Sequence, residues 1–172
     1  MNQDSPHPTA VPELLLASAS RYRRALLERL GVPFKQIAPD IDETIRPDET
    51  PAEAVLRLAR SKAQAVLAEH PDAIVIASDQ VALRGEEILG KPGNAEQAIR
   101  QLSLSAGRQV EFLTGVCVIR GDRPNDPEKH MDITRVVFRP LAPEEGRDYV
   151  GRDASFDCAG TFRAEGFGIA LF

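Results

Sequence analysis

Chemistry tends to sit where polar residues occupy positions that packing would give to apolar ones, and this chain has three such places. The first is in residues 73–83. By the period-two rule, one face of a strand there carries Val75, Ala77, Asp79, Val81 and Leu83, and the other Ile74, Ile76, Ser78, Gln80 and Ala82. Both faces are apolar until Ser78-Asp79-Gln80, the pattern of a buried central strand interrupted by three polar groups. An ionised carboxylate inside a core is costly unless it is paired or binds a metal. Asp79 therefore reads as a metal ligand or general base at the end of a buried strand; the alternative is an edge strand with Asp79 in solvent.

The second place is Lys62. In a helix from Pro51 to about His70, residues Val55, Leu58, Ala59, Val66 and Leu67 form the apolar stripe, and Lys62 lies on it, four residues after Leu58 and four before Val66. Its ammonium either snorkels to the rim or reaches into a cleft and meets an anion. The third is Ser18-Ala19-Ser20-Arg21-Tyr22-Arg23-Arg24, which follows a strand and opens a helix. Free amides and the helix dipole favour anions at such a start, and two hydroxyls and three arginines add donors, unless those arginines are simply solvated. A Gly90-Lys91-Pro92 turn follows the Asp79 strand by a short hairpin.

Two or three cations, an anion-friendly helix start and one buried carboxylate suit metal-assisted attack on a phosphate ester or anhydride, where cations hold oxygens and a carboxylate positions water. Asp40, Asp42 and Glu43 could add metal ligands. The chain has no GxxxxGK[ST] loop, GxGxxG, HExxH or GxSxG motif, so the common phosphate-loop, dinucleotide, zincin and serine-hydrolase readings are excluded.

Alternating helices and strands must position these groups. The apolar run at 14–17 reads as a buried strand and residues 20–30 as a helix, with Ser20 as N-cap and Gly31 as its stop. Residues 34–38 read as a strand and 40–49 as an acidic connector broken by Pro47. Thr50 and Glu53 form a capping box for the long helix starting at Pro51. After the Asp79 strand, 86–89 pairs back across Arg84-Gly85, 95–105 is helical, 110–120 is a strand and 121–129 a polar turn. A strand at 133–138, a helix at 143–150 and a final apolar strand at 167–172 complete an α/β layered domain.

The whole is 172 residues, 42% hydrophobic and 27% charged, with 21 basic against 26 acidic residues and a net charge of −5. That length predicts one domain with a sizeable core. The acidic balance argues against broad nucleic-acid binding. Apolar runs fall far short of the ~20 residues of a membrane span. Residues 1–12 lack the basic and apolar regions of a signal peptide and read as a flexible arm. Cys117 and Cys158 lie in apolar segments without a CxxC or Cys/His pattern, and are expected as two buried, reduced thiols in a cytoplasmic protein.

In order and spacing, the stretches LLLASASRYRRALLERLGV, APDIDET, LRLARSKAQAV, IASDQV, GKP, LTGV and CAGTFRAEGFGIALF resemble the Maf-like nucleotide pyrophosphatases, and more closely their 7-methyl-GTP branch. The resemblance implies an α/β (Maf/ITPase-like) fold, with an elongated mixed sheet flanked by helices and an active-site cleft between two lobes. It implies hydrolysis of a nucleoside triphosphate between its α and β phosphates, with Mg²⁺ or Mn²⁺ required. It assigns Asp79 as the proton acceptor, aided by the metal, and Asp40 as the acidic position near that metal. Ser18, Arg23, Lys62 and Lys91 match the positions that hold the triphosphate, and Tyr22, Gln80 and Glu165 those that choose the base.

A physical argument supports the branch. N7-methylation leaves guanine cationic, so an aromatic ring and a carboxylate are the groups expected to select it. Tyr22 could equally be a packed helix residue, and Glu165 a solvated loop acid. The chain departs from the family pattern at Arg21, where proline is usual, and at Asp40, where glutamate is usual. Residues 13–172 form the matching domain, and the sequence stops at Phe172, before a further family segment with a Gly-Leu-Pro motif. The family analogy suggests a homodimer. The rival functions are a dTTP/UTP pyrophosphatase of the sister branch and a nucleotide-binding regulator of cell division that needs no turnover.

Overall fold

The computed structural model describes residues 11–153 and 156–172. Most of the expected N-terminal arm, residues 1–10, lies outside the described residues. The described elements are β1 (Leu14–Ala17), α1 (Arg21–Glu28), β2 (Lys35–Ile37), α2 (Pro51–Glu69), β3 (Ile74–Arg84), β4 (Glu87–Leu89), α3 (Ala95–Ser105), β5 (Gln109–Arg120), β6 (Arg123–Val137) and α4 (Pro143–Asp153). Two short 3-10 helices, Ala159–Thr161 and Phe167–Leu171, follow. The strands bond in the order β2-β1-β3-β5-β6, with β4 on β3. β1 runs parallel to both β2 and β3, and β4 antiparallel to β3, so the sheet is mixed as expected.

Local sequence accounts for most of these boundaries. The Ser20 hydroxyl accepts from the Arg23 amide at 3.3 Å and starts α1. The Thr50 amide donates to Glu53 Oε2 at 2.8 Å while the Glu53 amide donates to Thr50 Oγ1 at 3.3 Å, which closes the capping box of α2. The Glu53 carboxyl is held below its ordinary range, chiefly by the Thr50 amide. Asn94 caps α3 by accepting from Gln97 at 3.0 Å.

Two expectations are corrected. Residues 121–129 are not a polar turn: only Gly121-Asp122 turns, and β6 begins at Arg123. β6 is the last strand in the order, and an edge strand accommodates Pro124 and Pro127 because its outer N–H positions need no partner. The run at 167–172 is 3-10 helical rather than a strand. A side chain at Gly168 would collide with the Arg163 carbonyl and the Phe162 ring, so this segment is folded tightly against its own chain.

The described chain forms two compact units, and α2, β3 and β5 contribute residues to both. The first takes in the described residues up to Glu43 with Ala59–Ser78 and Val116–Lys129. Leu15 and Ala17 of β1, Val75 and Ala77 of β3, Val66 and Leu67 of α2, and Ile119 of β5 make its core. The second comprises Thr44–Leu58, Asp79–Gly115 and His130–Phe172. Leu89, Leu102, Phe112, Phe138, Tyr149 and Leu171 make its main core, with a smaller cluster of Val55, Val81 and Leu113. Neither cysteine is in a disulfide; Cys117 is buried, where burial raises its pKa, but Cys158 is only half-buried, contrary to expectation.

Candidate active site

In the first unit, β1 ends at Ala17 and the chain turns through Ser18-Ala19-Ser20 into α1. The Ser18 amide donates to the Leu16 and Ile37 carbonyls, each at 3.0 Å, and the buried Ser18 hydroxyl accepts from the Ser20 amide at 3.1 Å. From β2, Gln36 Nε2 donates to the carbonyls of Ser18 (2.7 Å) and Ser20 (3.2 Å). The loop is thus fixed before any ligand arrives. It stands at the carboxyl end of the parallel pair β1 and β3, where open α/β sheets bind ligands and where a helix start attracts anions. Gln36 escaped notice in the sequence because one polar residue in a short strand has no local signature.

Arg23, in the first turn of α1, extends Nη1 to the main-chain carbonyl of Ser78 at 2.8 Å. Ser78 is the first residue of β3 beyond its ladder with β1, which ends at the pair Ala17–Ala77. On that side of β3 the next paired residue is Ala82, opposite Leu89 of β4. Residues 78–81 therefore lie between two ladders, the stretch that the sequence marks as polar. Asp79 is 8% exposed, so the alternative with Asp79 in solvent does not hold.

Lys62 is 5% exposed, and its Nζ meets Glu43 Oε1 at 3.0 Å. The lysine is thus buried while its carboxylate partner is exposed. Tyr22 is half-buried, and its ring already carries a cation: the Arg21 guanidinium lies 4.8 Å from the ring centroid and donates to the Tyr22 hydroxyl at 2.7 Å. Asp40 is exposed.

In the second unit, Gln80 is exposed on β3 and donates to Thr114 Oγ1 of β5 at 2.8 Å. Thr114 belongs to the LTGV stretch but had no role in the sequence reading. Lys91 lies exposed just after β4, in an irregular stretch rather than the expected tight turn, beside Gly90, whose carbonyl accepts from Gln101 Nε2 at 3.1 Å. Glu165 is exposed on a turn between the two 3-10 helices. The structure thus groups Ser18, Arg23 and the Ser78 carbonyl, pairs Lys62 with Glu43, and joins Gln80 to Thr114.

Glu49, at the end of the acidic connector, receives the Arg57 fork through Nε (2.7 Å) and Nη2 (2.5 Å) and is held at a pKa of about 2 by it. Arg57 also donates to the Thr44 carbonyl at 3.0 Å, which ties both ends of residues 44–49 to α2.

The mixed sheet flanked by helices has counterparts of the same fold among solved proteins. Solved structures of a HAM1 protein from Coxiella burnetii (TM-score 0.51, 17% identity, 74% of this chain and 73% of that one) and of the Staphylococcus aureus Ham1 protein (TM-score 0.50, 17% identity, 73% and 71%) share the fold. The chain belongs to the Maf-like protein family, whose profile matches residues 13–172. It is 47% identical over 171 residues to a 7-methyl-GTP pyrophosphatase of Nitrosococcus oceani, covering 99% of this chain and 84% of that one. A protein of the same name from Alkalilimnicola ehrlichii is 48% identical over 164 residues, covering 94% and 80%.

Proposed function

We propose that this protein is a nucleoside triphosphate pyrophosphatase that hydrolyses 7-methyl-GTP to its monophosphate and pyrophosphate in the cytoplasm. The observation that carries the reading is the buried Asp79 carboxylate, next in the chain to the carbonyl that Arg23 holds at the end of a parallel strand pair. The names of relatives at 47% and 48% identity point to the same reaction and base.

Each residue has a role in this reading. The amides around Ser18 and the start of α1, with Arg23, Lys62 and Lys91, bind the phosphates and fix the orientation of the α–β anhydride. Asp79 accepts the proton of the attacking water; the new O–P bond forms as the Pα–O–Pβ bond breaks and pyrophosphate leaves. The Tyr22 ring stacks on the base, while Gln80 and Glu165 supply polar partners for it. A cationic 7-methylguanine favours a ring face and a carboxylate.

Among the described residues, no group of three or more His, Cys, Asp or Glu side chains could hold an ion by itself. One buried carboxylate still fits Mg²⁺ or Mn²⁺, because Mg²⁺ is commonly bound by one or two carboxylates together with substrate phosphates. Asp79 would hold such an ion, with Asp40 as a second acidic candidate. When bound, the ion would neutralise phosphate charge and act as a Lewis acid.

The test is pyrophosphate release from 7-methyl-GTP, GTP, dTTP, UTP and CTP with Mg²⁺ or Mn²⁺. The expected result is fastest turnover of 7-methyl-GTP; preference for dTTP or UTP would reject the base assignment, and no release from any of them would reject the activity.

A further inference from the structure

Glu165 sits at the tip of a turn that is held from beneath by one face of α4. The turn closes where the Gly166 amide donates to the Arg163 carbonyl at 3.3 Å. Tyr149 and Asp153 are four residues apart on α4 and so share a face. The Tyr149 hydroxyl accepts from the Arg163 amide at 3.3 Å, at the start of the turn. Asp153 Oδ2 accepts from the Phe167 amide at 3.0 Å, just past its end, and the same carboxylate pairs with the Arg163 guanidinium. The Asp153 side chain has 0% exposure, whereas Ala164 and Glu165 are exposed. A Cβ on Gly166 would run into the Asp153 carboxylate and Arg163 Nε, so only glycine lets the turn approach this close.

A buried ion pair often contributes little net stability compared with apolar packing of the same volume, so its presence asks for a positional reason. Here it fixes both flanks of a four-residue turn and leaves only the tip free. We propose that Asp153 and Arg163 are positioning residues that set selectivity for a cationic base, by presenting Glu165 in one place. The inference rests on the reading of Glu165 as a base-contacting group. A carboxylate on a mobile tip would discriminate weakly, because holding it against the base would cost conformational entropy on every binding event.

The test is the ratio of kcat/KM for 7-methyl-GTP to that for GTP, measured on the full chain with Glu165→Gln, Asp153→Asn and the double variant. Loss of a charged hydrogen-bonding partner predicts that Asp153→Asn lowers this ratio by about 10-fold or more, with little further loss in the double variant. Equal losses for both substrates, or fully additive losses, would overturn the proposal and leave Asp153 as a stabilising residue. A fall in the ratio for Glu165→Gln but not for Asp153→Asn would overturn the proposal alone. An unchanged ratio for Glu165→Gln would remove the base-contacting reading and the proposal with it. If Asp153→Asn does not fold, Gly166→Ala keeps both charged side chains but forces the turn away from them; the same drop is expected, and an unchanged ratio overturns the proposal.

Discussion

Arg23 Nη1 lies 2.8 Å from the main-chain carbonyl of Ser78, a bond across 55 residues of sequence that ties the first turn of α1 to the residue before Asp79. α1 has no buried residue, so little apolar packing anchors it. Its position depends on the Ser20 cap and on this bond. A residue proposed to hold phosphate is therefore also bound to the strand that carries Asp79.

Arg23→Ala should lower kcat as well as raise KM for the triphosphate. A hydrogen bond to a charged group contributes about 1.5–3 kcal/mol, so kcat/KM should fall about 10-fold or more. Steady-state kinetics check this; a change in KM with kcat at the wild-type value would mean that the Ser78 bond does not support Asp79.

Asp79→Asn keeps the shape of the side chain and removes the proton acceptor. General-base contributions are typically about 10²–10⁴-fold, and turnover should fall within that range while the circular dichroism spectrum stays native. Wild-type turnover in this variant would end the assignment of Asp79 as base.

Lys62→Met should weaken substrate binding without unfolding the protein. The lysine lies on the apolar stripe of α2, and the partner left behind, Glu43, has a side chain 56% exposed and open to hydration. The expected outcome is a KM raised about 10-fold or more with a melting temperature close to wild type. A lower melting temperature with unchanged KM would mean that the Lys62–Glu43 pair is structural.

Acid should remove the contribution of the Glu49–Arg57 clamp. The Arg57 fork lowers the Glu49 pKa from 4.5 to about 2, so the folded state favours the ionised form. The stabilisation is then complete above about pH 4.5 and is lost as the pH falls through about 2. Melting curves of wild type and Glu49→Gln should differ by a constant amount above pH 4.5 and converge on acidification. A gap that widens in acid would contradict the sign.

Gly115→Ala should destabilise the fold. A Cβ there would lie 2.7 Å from the Val55 carbonyl oxygen and 2.8 Å from its carbon, both backbone atoms of α2 that cannot swing aside. Overpacking of this kind costs roughly 1–3 kcal/mol, which urea denaturation would register as a lower midpoint at unchanged slope. The glycine of the LTGV stretch is thus explained by the close approach of α2 to β5.

Features that depend on a few neighbouring residues were legible in the sequence. The capping box of Thr50 and Glu53 needs only a spacing of three, and the hairpin from β3 to β4 only a glycine between two apolar runs, although its turn is Gly85-Glu86 rather than Arg84-Gly85. The strand around Asp79 was legible as buried because Ser78-Asp79-Gln80 interrupt a run that is apolar on both faces. No such pattern distinguished Glu165, and Lys91 stood out only as part of a Gly-Lys-Pro turn; both are exposed, and the resemblance alone gave them roles. Tertiary structure decided the rest. Prolines usually end a strand, yet β6 runs through Pro124 and Pro127 because it lies at the sheet edge. The run at 167–172 has the apolar content of a strand, but close packing at Gly168 makes it 3-10 helical. The partners of Lys62, Arg23 and Asp153 lie 19, 55 and 10 residues away, beyond any local repeat. Local spacing selects backbone conformation and the side of an element that is buried, whereas which charge meets which oxygen depends on where separate elements come to rest.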